Sequence, residues 1–297
     1  MRGTMRDSLT IWKGTSHLDG EIIAVIARKG GNKKVSGGDR QVLALSVVPM
    51  VTVTKVRAAD HGQPAIKLGT TYIKSLRVGA IDSVCHNACE HKGNGKCYAQ
   101  FNAQSVSEPV TTIRKGYGPV GNLAAFLKSH RFMAGDRYRT MVVGSSGAVP
   151  PDAMAVIIGT FNAFGMLPLA YVENWRQRPD LRDSHMASCY SIADVADAKT
   201  AGWRPFYSPA AESLGNTLPD GMVLCPGSAY RERAGFKRIS CATCGFCDGS
   251  GRGASRPGVV SPRHGNGDSS RVASLVRKGI LDTMIVNAKR KMVGAYA

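Results

Sequence analysis

The chain has 297 residues, 43% of them hydrophobic, and a formal net charge of +18. That length suits one large domain or a domain with an appendage. No run of about 18 apolar residues is present to cross a membrane, and residues 1–20 lack the apolar middle of a signal peptide. A cytoplasmic protein with no membrane partner is expected. The charge favours a polyanionic partner, most often nucleic acid.

Residues 1–68 alternate apolar runs with turn signals and read as a β-rich segment. Within it, 21–27 and 41–48 are expected strands, joined by a basic, glycine-rich loop over 28–40. Arg28, Lys29, Lys33, Lys34 and Arg40 in that loop suit phosphate or plain solvation. Residues 69–135 hold a cysteine group between two helical patterns, the second at roughly 120–134. A strand at 139–143 follows, then a turn at 144–150 and a helix at 151–165 with proline at its start. Residues 167–173 and 185–189 read as strands. The helix at 191–202 is opened by Ser191 and closed by Gly202. Further strands are expected at 204–207, 222–224 and 259–260, the last within a Gly/Ser/Arg-rich loop over 248–268. The tail has helical periodicity through Val272, Leu275, Val276, Ile280, Met284 and Ile285. Its polar side carries Arg271, Arg277, Lys278, Lys289, Arg290 and Lys291, so it is an amphipathic basic helix. It either lies on nucleic acid or packs with a solvated basic face.

Strands alternating with helices of this length imply βαβ units and a parallel sheet. The expected fold is α/β, a partial or complete parallel β/α barrel with cysteine-rich metal-binding loops. The barrel-like domain spans 69–268, preceded by 1–68 and followed by the basic helix of 269–297. No glycine-rich dinucleotide fingerprint follows a strand, which disfavours a doubly wound sheet. Chemistry in such barrels gathers at the carboxyl ends of strands. The residues there are Ser145, Ser146, Glu173, Asn174, Cys189 and Tyr207.

Seven of the eight cysteines fall into two tight groups, which in a reducing compartment reads as metal ligation rather than disulfides. The first is Cys85, Cys89 and Cys97. Three thiolates leave a four-coordinate site one ligand short, as suits a metal or cubane cluster that must bind something else; His86 or His91 would instead close it. The second is Cys225, Cys241, Cys244 and Cys247, a complete shell. Its spacing is closer to ferredoxin ligation than to the two separated pairs of a zinc ribbon. Both [4Fe–4S] and zinc are allowed there, and His264 is an alternative fourth ligand. Cys189 stands alone as either a packing residue or a nucleophile. Glu173 ends an apolar strand and is a candidate catalytic carboxylate. Asp152 at a helix start simply suits the helix dipole.

Taken together, Cys85-x3-Cys89, the loop ending Lys-Gly-Asn-Gly-Lys-Cys97-Tyr98, Asn174-Trp175-Arg176, Met186-Ala187-Ser188-Cys189 and Cys241-x2-Cys244-Gly245-x-Cys247 resemble small cysteine-rich proteins of phages and prophages. The resemblance covers roughly residues 17–266. Those proteins look like compact, distant relatives of the radical S-adenosylmethionine (SAM) enzymes. Seven residues, where that superfamily has two, precede the third cysteine. Gly144-Ser145-Ser146-Gly147 stands nearest to its SAM-binding Gly-Gly-Glu segment.

The resemblance implies a [4Fe–4S] cluster on Cys85, Cys89 and Cys97 whose open iron chelates SAM. An electron donor would then drive SAM cleavage to a 5′-deoxyadenosyl radical, and hydrogen abstraction would begin a rearrangement. Ser145, Ser146 and Asn174 would contact the cofactor, with Glu173 and Cys189 as catalytic groups. The second cysteine group would hold an auxiliary cluster or zinc. The implied substrate is a base in nucleic acid, DNA before RNA. The implied reaction is a radical isomerisation of a modified thymidine side chain in phage DNA, within the host cytoplasm. Such an enzyme must reach the base in single strands or by flipping it, while lysines and arginines bind phosphate whatever the sequence.

Two rival readings use the same residues. One is a zinc-dependent base-exchange transglycosylase, similar to the tRNA-guanine transglycosylases, with zinc on Cys241, Cys244, Cys247 and His264. It needs a nucleophilic aspartate at a strand end, and none is well placed. The other is a non-enzymatic, zinc-bearing nucleic-acid-binding protein.

Overall fold

The computed structural model describes residues 8–30, 40–50, 83–89, 119–209, 218–227, 239–249 and 256–262. The chain divides into two compact units, Met1–Gly31 with Gln41–Leu167, and Asn32–Arg40 with Pro168–Ala297. Residues 31–39 of the expected loop, Cys97, His91, His264 and the basic tail lie outside the described residues.

The first sheet has strands β1 (Ser8–Thr15), β2 (Ile22–Lys29), β3 (Val42–Pro49), β4 (Arg137–Arg139) and β5 (Leu167–Leu169), in that order; β1 to β4 belong to the first unit, and β5 begins at its last residue. The sheet is mixed: β1–β2 and β2–β3 are antiparallel, β3–β4 parallel. Five consecutive residues of β2, Ile23 to Ala27, are buried. Such an unbroken apolar run marks a strand covered on both faces. Strand β1 was not expected. A bulge between Thr10 and Trp12 breaks its alternation, so the period-2 signal is lost.

Helix α1 (Leu123–Ser129) is capped by Asn122, whose Oδ1 accepts from the Ala125 N–H at 2.9 Å. It is half the expected length because Arg131 takes a left-handed backbone, φ +57°. The strand expected over 139–143 is displaced for a similar reason. Strand β4 stops at Arg139, and Met141 is left-handed at φ +49°. The pairing with β3 resumes beyond it, where the Val142 N–H donates to Leu45 O at 2.7 Å and the Val47 N–H to Val143 O at 2.9 Å. Helix α2 (Pro151–Ala163) buries Met154, Ile157 and Phe161. The Phe161 ring stacks on Tyr138 at 4.2 Å, a contact worth about 1 kcal/mol beyond its buried area.

The second unit contains β6 (Tyr171–Val172), β7 (Met186–Cys189), β8 (Pro205–Tyr207), β9 (Met222–Leu224) and β10 (Gly258–Val260). Their order is β6-β7-β8-β10-β9, and every pair is parallel. The expected strand over 167–173 is two strands, β5 and β6, separated by Ala170. Helix α3 (Ile192–Thr200) opens with the reciprocal Ser191–Asp194 capping box, and Gly202 follows it at φ +74°. The chain is thus mixed α/β with a five-stranded all-parallel sheet, as the alternation of elements implied. Barrel closure is not seen: among the described residues this sheet is open, with β6 and β9 at its edges. No described helix is long and apolar enough to cross a membrane.

One buried group makes the second unit acid-sensitive. His185 is fully buried, its Nδ1 2.7 Å from the Ser184 hydroxyl. Burial first, then the Arg178 cation, pushes its pKa down to about 3, against the opposing pull of Asp180 and a backbone bond with Leu181. The unfolded chain therefore takes up a proton on this residue below about pH 6.5, whereas the native chain does not until about pH 3. Stability is expected to fall between those values, by up to about 1.4 kcal/mol per pH unit. Urea midpoints measured at pH 7 and pH 5 check this. The His185→Gln variant should lose much of the difference, and an unchanged acid limb would assign it elsewhere.

Candidate metal and cofactor sites

The first cysteine group lies in a tight turn. The Cys89 N–H donates to His86 O at 3.1 Å, and the His86 Nδ1 accepts from the Ala88 N–H at 2.9 Å. That bond occupies the Nδ1 lone pair and leaves the proton of the neutral ring on Nε2. Closing the metal shell with His86 would require giving up this arrangement. Cys85 and Cys89 are half-buried.

Two bonds anchor the turn at its start. The Ser16 hydroxyl donates to Ser83 O at 2.6 Å, and the Ser145 N–H donates to Val84 O at 2.7 Å. The second bond joins the cysteine turn to the Gly144–Ala148 segment, which follows β4 and lies beside the carboxyl half of β3. Gly144 permits this approach. It sits at φ +81°, and a Cβ there would stand 2.9 Å from Val47 O and 3.3 Å from Val84 O. Gly144→Ala is therefore expected to cost about 2 kcal/mol in left-handed strain and crowding. Because it pushes on Val84, it should also raise the alkylation rate of Cys85. Timed thiol labelling with mass mapping checks it.

Ser145 and Ser146, expected to touch a cofactor, are themselves buried. Ser145 caps the short 3-10 turn Ser146–Ala148, its Oγ accepting from the Gly147 N–H at 3.2 Å. These two serines shape the turn that receives the cysteine loop.

The second cysteine group is drawn together from three places. Cys225 directly follows β9, its N–H donating to Val260 O at 2.8 Å. Gly227 brings that segment against Ile239, where a Cβ would stand 3.0 Å from Ile239 O and 4.0 Å from the Cys225 Sγ. Ser240 then caps the one-turn helix α4 (Cys241–Cys244), and Gly245, left-handed at φ +68°, ends it. Cys247 follows, buried, its carbonyl accepting from the Ala170 N–H at 3.3 Å. The Cys247 thiol is pushed well above its usual range by burial first, then by its neighbours Cys225, Cys241 and Cys244, while a hydrogen bond from the Tyr171 hydroxyl pulls it down. All four thiols thus share one neighbourhood. Among the described residues, however, no three His, Cys, Asp or Glu side chains are set in a metal-coordinating arrangement. The donor chemistry, four cysteine sulfurs with one of them buried, is that of a thiophilic site.

The loop is braced by charges that sequence reasoning missed. Arg204, at the start of β8, donates Nη2 to Phe246 O at 2.7 Å and to Pro257 O at 3.0 Å. Its Nη1 donates to the Asp248 carbonyl and, at 2.9 Å, to Asp248 Oδ1. Arg256 reaches Asp248 Oδ2 at 3.0 Å from the other side. The only local signal was the aspartate directly after Cys247.

At the carboxyl edge of the parallel sheet, Glu173 is half-buried after β6. Asn174 beside it is 2% exposed, and its Oδ1 has no hydrogen-bond partner. A buried acceptor left unmatched costs roughly 1–3 kcal/mol, so it is a natural receiver for a donor N–H. Trp175 and Arg176 are structural: the guanidinium stacks 4.1 Å over the indole and bridges Asp194 and Asp197 of α3 at 3.0 and 2.7 Å. The Cys189 thiol is buried and donates to the carbonyls of Ala187 at 3.4 Å and Asp194 at 3.5 Å. Burial, reinforced by Asp194, pushes its pKa up to about 12, so it keeps its proton and packs β7 onto α3. Tyr207 is a buried core residue of β8, its carbonyl accepting from the Ser261 N–H at 2.8 Å.

No family model, no curated protein and no solved structure matches this chain.

Proposed function

We propose that the protein is an iron–sulfur, radical SAM-like enzyme that modifies a base in nucleic acid, its strands forming part of a β/α barrel. One observation supports the reading above the others. The Cys85 turn is docked by the Ser145–Val84 bond onto the glycine turn beside the carboxyl half of the parallel pair β3–β4. Open and closed α/β sheets both gather their ligands at that end.

Cys85, Cys89 and Cys97 would hold the cluster. Bound there, it would supply a one-electron route to SAM cleavage. The chain's own residues do the rest. The Val84–Ser145 bond and the Ser16–Ser83 bond fix the cysteine turn. Within the second unit, taken by itself, Asn174 keeps an unmatched buried acceptor that suits a donor N–H, and Glu173 beside it is a candidate proton carrier. Cys189 has no chemical role in this reading, since its thiol stays protonated.

The net charge of +18 suits a nucleic-acid polymer, and we take a modified thymidine side chain in DNA as the substrate, isomerised by the radical. The test is an anaerobic incubation of the reduced protein with SAM, with and without DNA. Release of 5′-deoxyadenosine, stimulated by DNA, is expected. Its complete absence from protein carrying iron and sulfide would refute the enzyme reading.

A further inference from the structure

The second cysteine group has a neighbour whose hydrogen bonding is incomplete in an informative way. Arg204 is buried, with 7% of its side chain exposed. Its two Nη atoms are fully committed. They hold the carbonyls of Phe246 and Asp248, the residues on either side of Cys247, together with Pro257 O and the Asp248 carboxylate. Its Nε is also buried, yet has no acceptor. A cationic N–H donor sealed from water without a partner is costly, and native structures rarely tolerate one without a purpose.

The local charge balance points the same way. Arg204 and Arg256 face one carboxylate, Asp248, so this bracket carries one excess positive charge directly beside Cys247. Four thiolates around a metal carry a net negative charge, whether the metal is a single divalent ion or a cubane cluster. A neighbouring buried cation and N–H donor is what such a centre requires. The Tyr171 hydroxyl already donates to the Cys247 sulfur, so donors approach this sulfur from the protein side.

We propose that Arg204 is the charge-compensating and positioning residue of a tetrathiolate metal centre on Cys225, Cys241, Cys244 and Cys247. It fixes Cys247 through the carbonyls on both sides of it and sets a buried cation with one unmatched N–H in the neighbourhood of the anionic sulfur. This rests on the reading that the second group binds metal, so the test separates the two. The full-length protein is purified anaerobically, and its metal is compared with that of Cys241→Ala/Cys244→Ala. If both preparations carry the same metal, the second group binds none, and both the reading and the proposal fall.

If the double variant loses metal, Arg204→Gln and Arg204→Lys are compared with the wild type. If the metal is iron, the readout is the midpoint potential of the centre lost in the double variant. If it is zinc, the readouts are cobalt affinity at the exchanged site and the position of the sulfur-to-cobalt charge-transfer band. For Arg204→Gln, the account predicts a roughly 10–100-fold loss of metal affinity. It also predicts a more negative potential in the iron case, or a band moved to lower energy in the cobalt case. Arg204→Lys keeps the charge without the fork, so it should preserve most of the potential or band position while still losing affinity. If Arg204→Gln fails to fold, Arg204→Lys decides alone, because loss of the fork must still weaken binding. Affinity within twofold of wild type, with potential or band unmoved, would overturn the proposal.

Discussion

Replacing Cys85 and Cys89 together by alanine is expected to remove all SAM cleavage and the iron of the first centre, while leaving the metal of the second group in place. The argument is one of ligand count. Three thiolates are the fewest that hold a cubane with one iron open, and two of them are gone. Folding should survive. Both side chains are half-buried, and backbone bonds at Ser83 and Val84 anchor the turn. A stability change within about 1 kcal/mol is expected, as for partly exposed positions without special features. Iron and sulfide analysis, 5′-deoxyadenosine release and a urea curve on the same preparation check all three statements. Retained SAM cleavage in the double variant would place the chemistry elsewhere.

Gly249→Ala is expected to have the opposite profile, a large loss of stability. A Cβ at Gly249 would overlap the backbone N, Cα and carbonyl carbon of His185, at the start of β7. Backbone cannot swing aside as a side-chain tip can. The 246–249 segment must lift away from the sheet, and the Arg204–Asp248 pair must stretch with it. Overpacking of this kind costs about 3 kcal/mol. Urea unfolding should show that loss, and metal at the second group should fall with it even at temperatures where the variant is folded. Wild-type stability would mean that the segment does not rest on His185.

These two predictions draw on different kinds of information. The turn that brings Cys85 and Cys89 close was legible in the sequence because only three residues separate them. The apolar runs of β2 and β3, and the Ser191 start and Gly202 stop of α3, were legible for the same reason: each is set by local chemistry. What stayed hidden depends on residues far apart or on backbone states that any side chain can be forced into. Arg131 and Met141 adopt left-handed conformations that no glycine or asparagine announces, so α1 was read too long and β4 two residues late. The bulge in β1 erased its alternation. The bond from Ser145 to Val84 spans the chain between two loops, and Arg204 meets Asp248 across 44 residues. Neither leaves a pattern within any short window.

The two cysteine groups have also come to differ in surroundings. Cys85 and Cys89 are half-buried, in a turn held by backbone bonds beside a glycine turn. Cys247 is buried, and Arg204 holds the carbonyls of the residues on both sides of it.

The most direct measurement is metal and acid-labile sulfide content after anaerobic purification, on the wild type and on the Cys85→Ala/Cys89→Ala variant. The account predicts a brown wild-type protein with iron and sulfide in equal amounts, and a definite loss of both in the variant. A colourless protein carrying only zinc, or one whose iron is indifferent to Cys85 and Cys89, would contradict it.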